Sequence, residues 1–146
     1  MNHVSITMDS RPENIAFGRV AVAGFIAPLD PSVDEVSDIK TAVSEAVTNA
    51  IIHGYPEEGQ NPHKGTVRLN LSVNEGRTIT IEVADDGVGI ADIKTAREPL
   101  FTTKAELERS GLGFTVMESF MDSVTVESTP GQGTTITLAK TLASRE

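Results

Sequence analysis

Three polar residues of one segment stand at a spacing that could bring them together. Glu45, Asn49 and His53 recur at i, i+4 and i+8, a spacing that lines up side chains along one face of a helix. Their neighbours Ala46, Val47, Ala50, Ile51 and Ile52 are apolar. A carboxylate, an amide and an imidazole in such a setting need partners or water. The same row also reads as the solvated stripe of an amphipathic helix.

Three glycine-rich segments follow in order. Asp85-Asp86-Gly87-Val88-Gly89-Ile90 comes directly after a strand-like run. Its glycines let the chain pass close to a ligand, and its first carboxylate can accept a hydrogen bond from a ligand amine. Read by itself it is a strand-to-loop turn. Arg109-Ser110-Gly111-Leu112-Gly113-Phe114 precedes a helical pattern. Backbone N–H groups at such a place suit an anion, although an ordinary glycine-rich helix start looks the same. Gly131-Gln132-Gly133-Thr134 lies between two strand patterns and taken singly is a hairpin turn.

The elements that must position these residues are legible from periodicity. His3 to Met8 alternates as a short strand. Ser10 and Pro12 mark a helix start, with Ser10 as the expected N-cap, and an apolar helix runs to about Ala27. Pro28 to Pro31 breaks it. Ser32 and Glu35 form a capping box for a second helix, whose apolar positions run from Val33 to Ile51 and which Gly54 ends. Residues 55–65 are a polar loop. Thr66–Val73 and Thr78–Ala84 form a hairpin around Asn74-Glu75-Gly76-Arg77. A short helix is expected near residues 92–97, another from Gly111 to about Met121, and two last strands at Val124–Ser128 and Thr134–Leu142. The expected class is α+β, a two-layer sandwich with helices on one face of a mixed, mainly antiparallel sheet.

Composition narrows the function. The chain has 146 residues, no cysteine and a net charge of −9. That excludes disulfides and thiolate metal sites. No window approaches ~18 consecutive apolar residues, and the N-terminus lacks the pattern of a signal peptide. The acidic balance disfavours direct nucleic-acid binding. A single cytoplasmic domain over 1–146, without membrane contact, is the expectation. The charge is uneven: residues 1–60 hold nine acids and three bases, whereas residues 91–113 hold four of each.

The order of the boxes is more specific than any one of them. E-x3-N-x3-H on a helix, D-x-G-x-G after a strand, G-x-G before a helix and G-x-G-T between strands together resemble the Bergerat or GHKL ATP-binding fold. No Walker motif is present. The segments SEAVTNAIIHGY (44–55), DDGVGI (85–90), EPLFTTKAELERSGLGFTVMESFMD (98–122) and GQGTT (131–135) look more closely like the sporulation anti-sigma factors, small serine kinases that restrain sigma-F. PLFTTK followed by ERSG is the most discriminating part.

That resemblance implies ATP and Mg2+ as cofactors. It implies Asn49 as metal ligand and Glu45 as the catalytic carboxylate near the γ-phosphate. Asp85 would accept from the adenine amine, Gly87 and Gly89 would pass close to the base, and Thr134 would support the base by its hydroxyl or a water. Residues 91–113 would be a lid, with Thr103, Lys104, Arg109, Ser110, Gly111 and Gly113 near the phosphates. His53 matches a position near the nucleotide, with packing an equal reading. Arg19 matches a partner-binding arginine. The implied partners are a sigma factor and an anti-anti-sigma protein that is phosphorylated on serine. Helix 12–27, with few polar positions, would help to pair two subunits. A stress-response anti-sigma kinase and a histidine-kinase-like catalytic module are the alternatives.

Overall fold

A computed structural model describes residues 1–53, 65–89 and 113–144, with backbone alone at His53. Strand β1 (Asn2–Asp9) leads to helix α1 (Glu13–Ile26), and helix α2 (Val33–Thr48) follows a short 3-10 turn at Ala27–Leu29. Strands β2 (Thr66–Val73) and β3 (Thr78–Asp85) form a hairpin. Helix α3 (Phe114–Phe120) precedes the second hairpin, β4 (Ser123–Thr129) and β5 (Gly133–Thr141). The strand order is β1-β2-β3-β5-β4, and each of its four pairings is antiparallel. The expected α+β sandwich is the observed architecture, and the sheet expected as mixed is antiparallel throughout among the described residues.

Alternation builds the core. Val67, Leu69, Leu71 and Val73 of β2 face the helices, as do Ile79, Ile81 and Val83 of β3 and Ile136 and Leu138 of β5. Against them pack Ile39, Val43, Ala46 and Val47 of α2, Val22 and Ile26 of α1, and Phe114 and Met117 of α3. Each large aliphatic side chain removed from water contributes about 1.5–3 kcal/mol. Arg68, Asn70, Thr80, Glu82 and Thr137 alternate with the core positions, as a half-exposed sheet face requires.

Helix α2 begins as its sequence dictates. The Glu35 N–H donates to Ser32 Oγ at 3.0 Å, and the Ser32 N–H donates to Glu35 Oε1 at 2.8 Å. Such a cap is worth about 1 kcal/mol. The other oxygen of Glu35 accepts from the Ala143 N–H at 2.9 Å, which fastens the segment after β5 to the start of α2.

Helix α1 departs from expectation. Ser10 does not cap it; the helix starts after Pro12 with no side-chain cap. Ser10 is instead buried, its N–H donating to the Gly65 carbonyl at 2.9 Å and its hydroxyl to the Ile51 carbonyl at 3.4 Å. The residue that could have capped α1 ties the end of β1 to the site helix. Only Gly18, Val22 and Ile26 of α1 are buried, while Phe17 and Val20 are 53% and 69% exposed. The apolar helix therefore packs on one side within the chain, not on two.

The second difference lies at the end of α2. The helix does not run on regularly toward Gly54 but widens into a π-helical turn over Asn49–His53. Such turns add a residue to the helical repeat and recur at functional sites. The i+4 relation of Glu45 and Asn49 survives, because Asn49 still donates its N–H to the Glu45 carbonyl. The next step, to His53, does not follow the α-helical repeat.

Candidate nucleotide site

Glu45 lies in the last turn of α2, on the side toward α3, and Asn49 caps that helix. Asn49 is 6% exposed and Glu45 is half-buried. Gly113 stands at the start of α3 with φ +64°, and a Cβ built on it would meet Glu45 Oε2 and lie 3.0 Å from Glu45 Cδ. The helix that follows the expected lid thus begins against the carboxylate, and only glycine fits there. Buried Phe114 and Met117 anchor α3 to the core and hold that contact.

The second half of the site is built by β3, β4 and β5. Asp85 ends β3 and is 6% exposed. Its Oδ1 accepts the Gly87 N–H at 2.8 Å, and the Thr134 backbone N–H also donates to the carboxylate. Burial raises the Asp85 pKa above the ordinary carboxylate value. The two N–H donors and the Arg68 charge oppose that rise, and the neighbouring Asp86 adds to it. Asp86 itself is held below the ordinary value by a bidentate pair with Arg68, at 2.8 and 3.2 Å. The two adjacent aspartates are thus distinct: one desolvated in the site, one ion-paired on the surface.

The glycine boxes fit against one another. A Cβ on Gly133 would meet the Asp85 carbonyl and come within 2.8 Å of Asp86 Cα. A Cβ on Gly89, at φ +76°, would meet the Thr129 carbonyl. The Gly131 N–H donates to the Val88 carbonyl at 2.7 Å. The loop after β3 and the turn between β4 and β5 are therefore stitched into one wall. Thr134, 8% exposed, stands directly opposite Asp85 in the β3–β5 register.

The structure brings together Glu45, Asn49 and Gly113 at one corner, and Asp85, Gly87, Gly89 and Thr134 at the other. Thr103, Lys104, Arg109, Ser110 and Gly111 lie outside the described residues, as do the side chain of His53, the short helix near 92–97 and most of the loop 55–65.

Arg19 lies on α1. It lines a groove of about 640 Å³ together with Val33, Val36, Ser37, Lys40, Ser44 and Glu45. The sequence singled out Arg19 but not Lys40 or Val33, which stand on the same side of α2. Nor did it single out Arg68. The strand alternation places Arg68 on the outer face, yet nothing local says that its guanidinium reaches Asp86.

The donor set bears on a metal. Among the described residues no three His, Cys, Asp or Glu side chains cluster as a metal cage. Asn49 offers one amide oxygen, one turn from the Glu45 carboxylate. That fits Mg2+, which takes few protein ligands and fills its octahedron from phosphates and water.

Comparison with known proteins agrees with the fold. The model of the histidine kinase-like ATPase domain matches residues 8–140. Anti-sigma F factor of Clostridium beijerinckii is 53% identical over 95% of this chain and 94% of its own. That of Geobacillus kaustophilus is 54% identical over 97% and 94%. Among solved structures, the RsbU and RsbW domains of a Mycobacterium tuberculosis protein superpose with a TM-score of 0.68 at 19% identity, covering 99% of this chain. The present chain spans about a third of that protein, 34%. The SiaB–SiaC complex of Pseudomonas aeruginosa gives a TM-score of 0.62 at 14% identity, over 94% of this chain and 88% of the matched one. At such identities these two likenesses concern the fold. No described helix is long and apolar enough to cross a membrane. On the family match and the identity over nearly its whole length, the chain belongs to the anti-sigma F factors, built on the histidine kinase-like ATPase domain.

Proposed function

We propose that this ATP-binding kinase domain restrains a sporulation sigma factor and phosphorylates a serine of the anti-anti-sigma protein that opposes it. The observation that carries the catalytic half is the place of Glu45. Glu45 lines the groove, one turn before Asn49, and its carboxylate stands against Gly113, the N-cap of α3.

A hydroxyl brought along the groove meets a carboxylate that can orient it or take its proton. Phosphoryl transfer needs little covalent work from the protein and much positioning. Glu45 supplies the base, and Asn49 Oδ1 would hold Mg2+, which when bound neutralises charge on the phosphates. Asp85 and Thr134 set the base of ATP. Gly113, and with it Thr103, Lys104, Arg109, Ser110 and Gly111, would approach the phosphates, and His53 would lie near the nucleotide.

Arg19 and Lys40 line the groove from α1 and α2. They are two of only three bases in residues 1–60, so they mark where an acidic surface of a partner would dock. The exposed Phe17 and Val20 of α1 support a homodimer formed through the N-terminal region.

The test is phosphate transfer from labelled ATP to a purified anti-anti-sigma protein by wild type and Glu45→Ala. The variant is expected to bind ATP normally and to transfer nothing. Full transfer by Glu45→Ala would remove Glu45 from the reaction.

A further inference from the structure

Arg68 belongs to none of the motifs. Strand alternation sends Asp85 inward, in series with Ile79, Ile81 and Val83, whereas Asp86 is exposed. The β2–β3 register sets Arg68 opposite Ala84, which makes Asp86 its diagonal neighbour. The guanidinium spans that diagonal. Nη1 donates to Asp86 Oδ2 at 2.8 Å and Nη2 donates to Oδ1 at 3.2 Å. Two parallel bonds fix the orientation of the carboxylate as well as its distance.

Asp86 in turn controls how Asp85 is presented. The pairings of β3 with β2 and β5 end at Asp85, opposite Val67 and Thr134, and Asp86 is the first residue beyond them. The Asp85 carboxylate is oriented by the Gly87 N–H at 2.8 Å, and Asp86 is the residue between the two. The Asp86 backbone packs against Gly133, where an added Cβ would lie 2.8 Å from Asp86 Cα. Its side chain is held by Arg68. The turn over residues 85–87, which aims the buried carboxylate, is therefore fastened at its middle residue.

We propose that Arg68 is a positioning residue for recognition of the nucleotide base: by holding Asp86 it holds the turn that aims the Asp85 carboxylate at the amine of the base. This rests on the assignment of Asp85 to the base and adds the residue that fixes its direction. Loss of the fork loosens the turn and weakens the hydrogen bond from the 6-amino group. Contacts to the sugar and phosphates, made by other segments, are spared. The pair is exposed, so its effect is modest, but a bidentate geometry is the kind that counts at a surface.

The experiment measures by calorimetry the affinities of ATP and of purine riboside triphosphate, which lacks only the 6-amino group. Wild type, Arg68→Ala, Asp86→Ala and the double variant are compared. Wild type is expected to prefer ATP about tenfold, the worth of a hydrogen bond to a charged group. Arg68→Ala is expected to shrink that preference about threefold, through weaker ATP binding with the analogue unchanged. Asp86→Ala is expected to do the same, and the double variant no more than either single one, because the two act as a pair. Equal weakening of both nucleotides by Arg68→Ala would overturn the proposal, since general damage to the fold moves both alike. An unchanged preference, or single effects that multiply in the double variant, would overturn it too. If wild type binds the two nucleotides equally, the assignment of Asp85 to the base itself fails, and the proposal with it.

Discussion

Glu45 and Gly113 meet where α2 ends and α3 begins, 68 positions apart in the chain, so closely that a Cβ on Gly113 would meet the Glu45 carboxylate. The contact joins the carboxylate proposed as catalytic to the residue at which the expected lid returns to the core. Anything that displaces one displaces the other.

Gly113→Ala tests that contact. At φ +64° an alanine costs about 1–2 kcal/mol, and its methyl also pushes Glu45 aside. The expected outcome is a modest fall in stability by denaturant titration and a much larger fall in phosphate transfer. ATP affinity is expected to fall less than transfer.

Asn49→Ala tests the metal assignment. Calorimetry with and without Mg2+ is expected to show that the variant loses the metal-dependent part of ATP affinity, about tenfold, while metal-free nucleotide binding changes little. Unchanged Mg2+ dependence would contradict the role of Asn49.

Asp85→Asn separates stability from binding. Burial raises the Asp85 pKa, so the folded protein holds that proton to a higher pH than the unfolded chain does. Between the two values the unfolded state binds fewer protons, and the contribution of Asp85 to stability falls as pH rises. Below the window the contribution is fully present; above it, it is lost. The stability of wild type minus that of Asp85→Asn is therefore expected to decline through the window and level off above it, in unfolding curves of the apoprotein. The same variant is expected to lose ATP affinity at neutral pH. A difference that grows with pH would reverse the sign of the Asp85 shift.

Much of the architecture was legible because periodicity carries it. The alternation of Thr66–Val73 and of Thr78 onward gave the central hairpin, and Ser32 with Glu35 gave the start of α2. What failed was local chemistry overridden by tertiary contact. Ser10 looks like a cap, but its hydroxyl goes to the Ile51 carbonyl. A regular helix toward Gly54 looked sufficient, but the chain widens into a π-turn at Asn49, and no propensity announces that. In the hairpin turn the left-handed residue is Arg77, at φ +65°, and not Gly76. The Arg77 guanidinium donates to the Leu29 carbonyl at 2.7 Å and to the Ala143 carbonyl at 3.1 Å, contacts that offset the strain.

The site divides in the same way. Asp85, Asn49, Glu45 and Thr134 were visible as an ordered set of boxes. Ser128, which faces Thr134 across β4 and β5, was not. Lys40 and Val33 line the groove only because α1 and α2 pack side by side, which no single helix pattern encodes.

The most direct measurement follows labelled phosphate from ATP to a purified anti-anti-sigma protein and determines the acid stability and position of the product. The account predicts an acid-stable phosphoserine on that protein, formed by wild type and absent with Glu45→Ala. No transfer, or an acid-labile phosphohistidine on this chain or its partner, would contradict it.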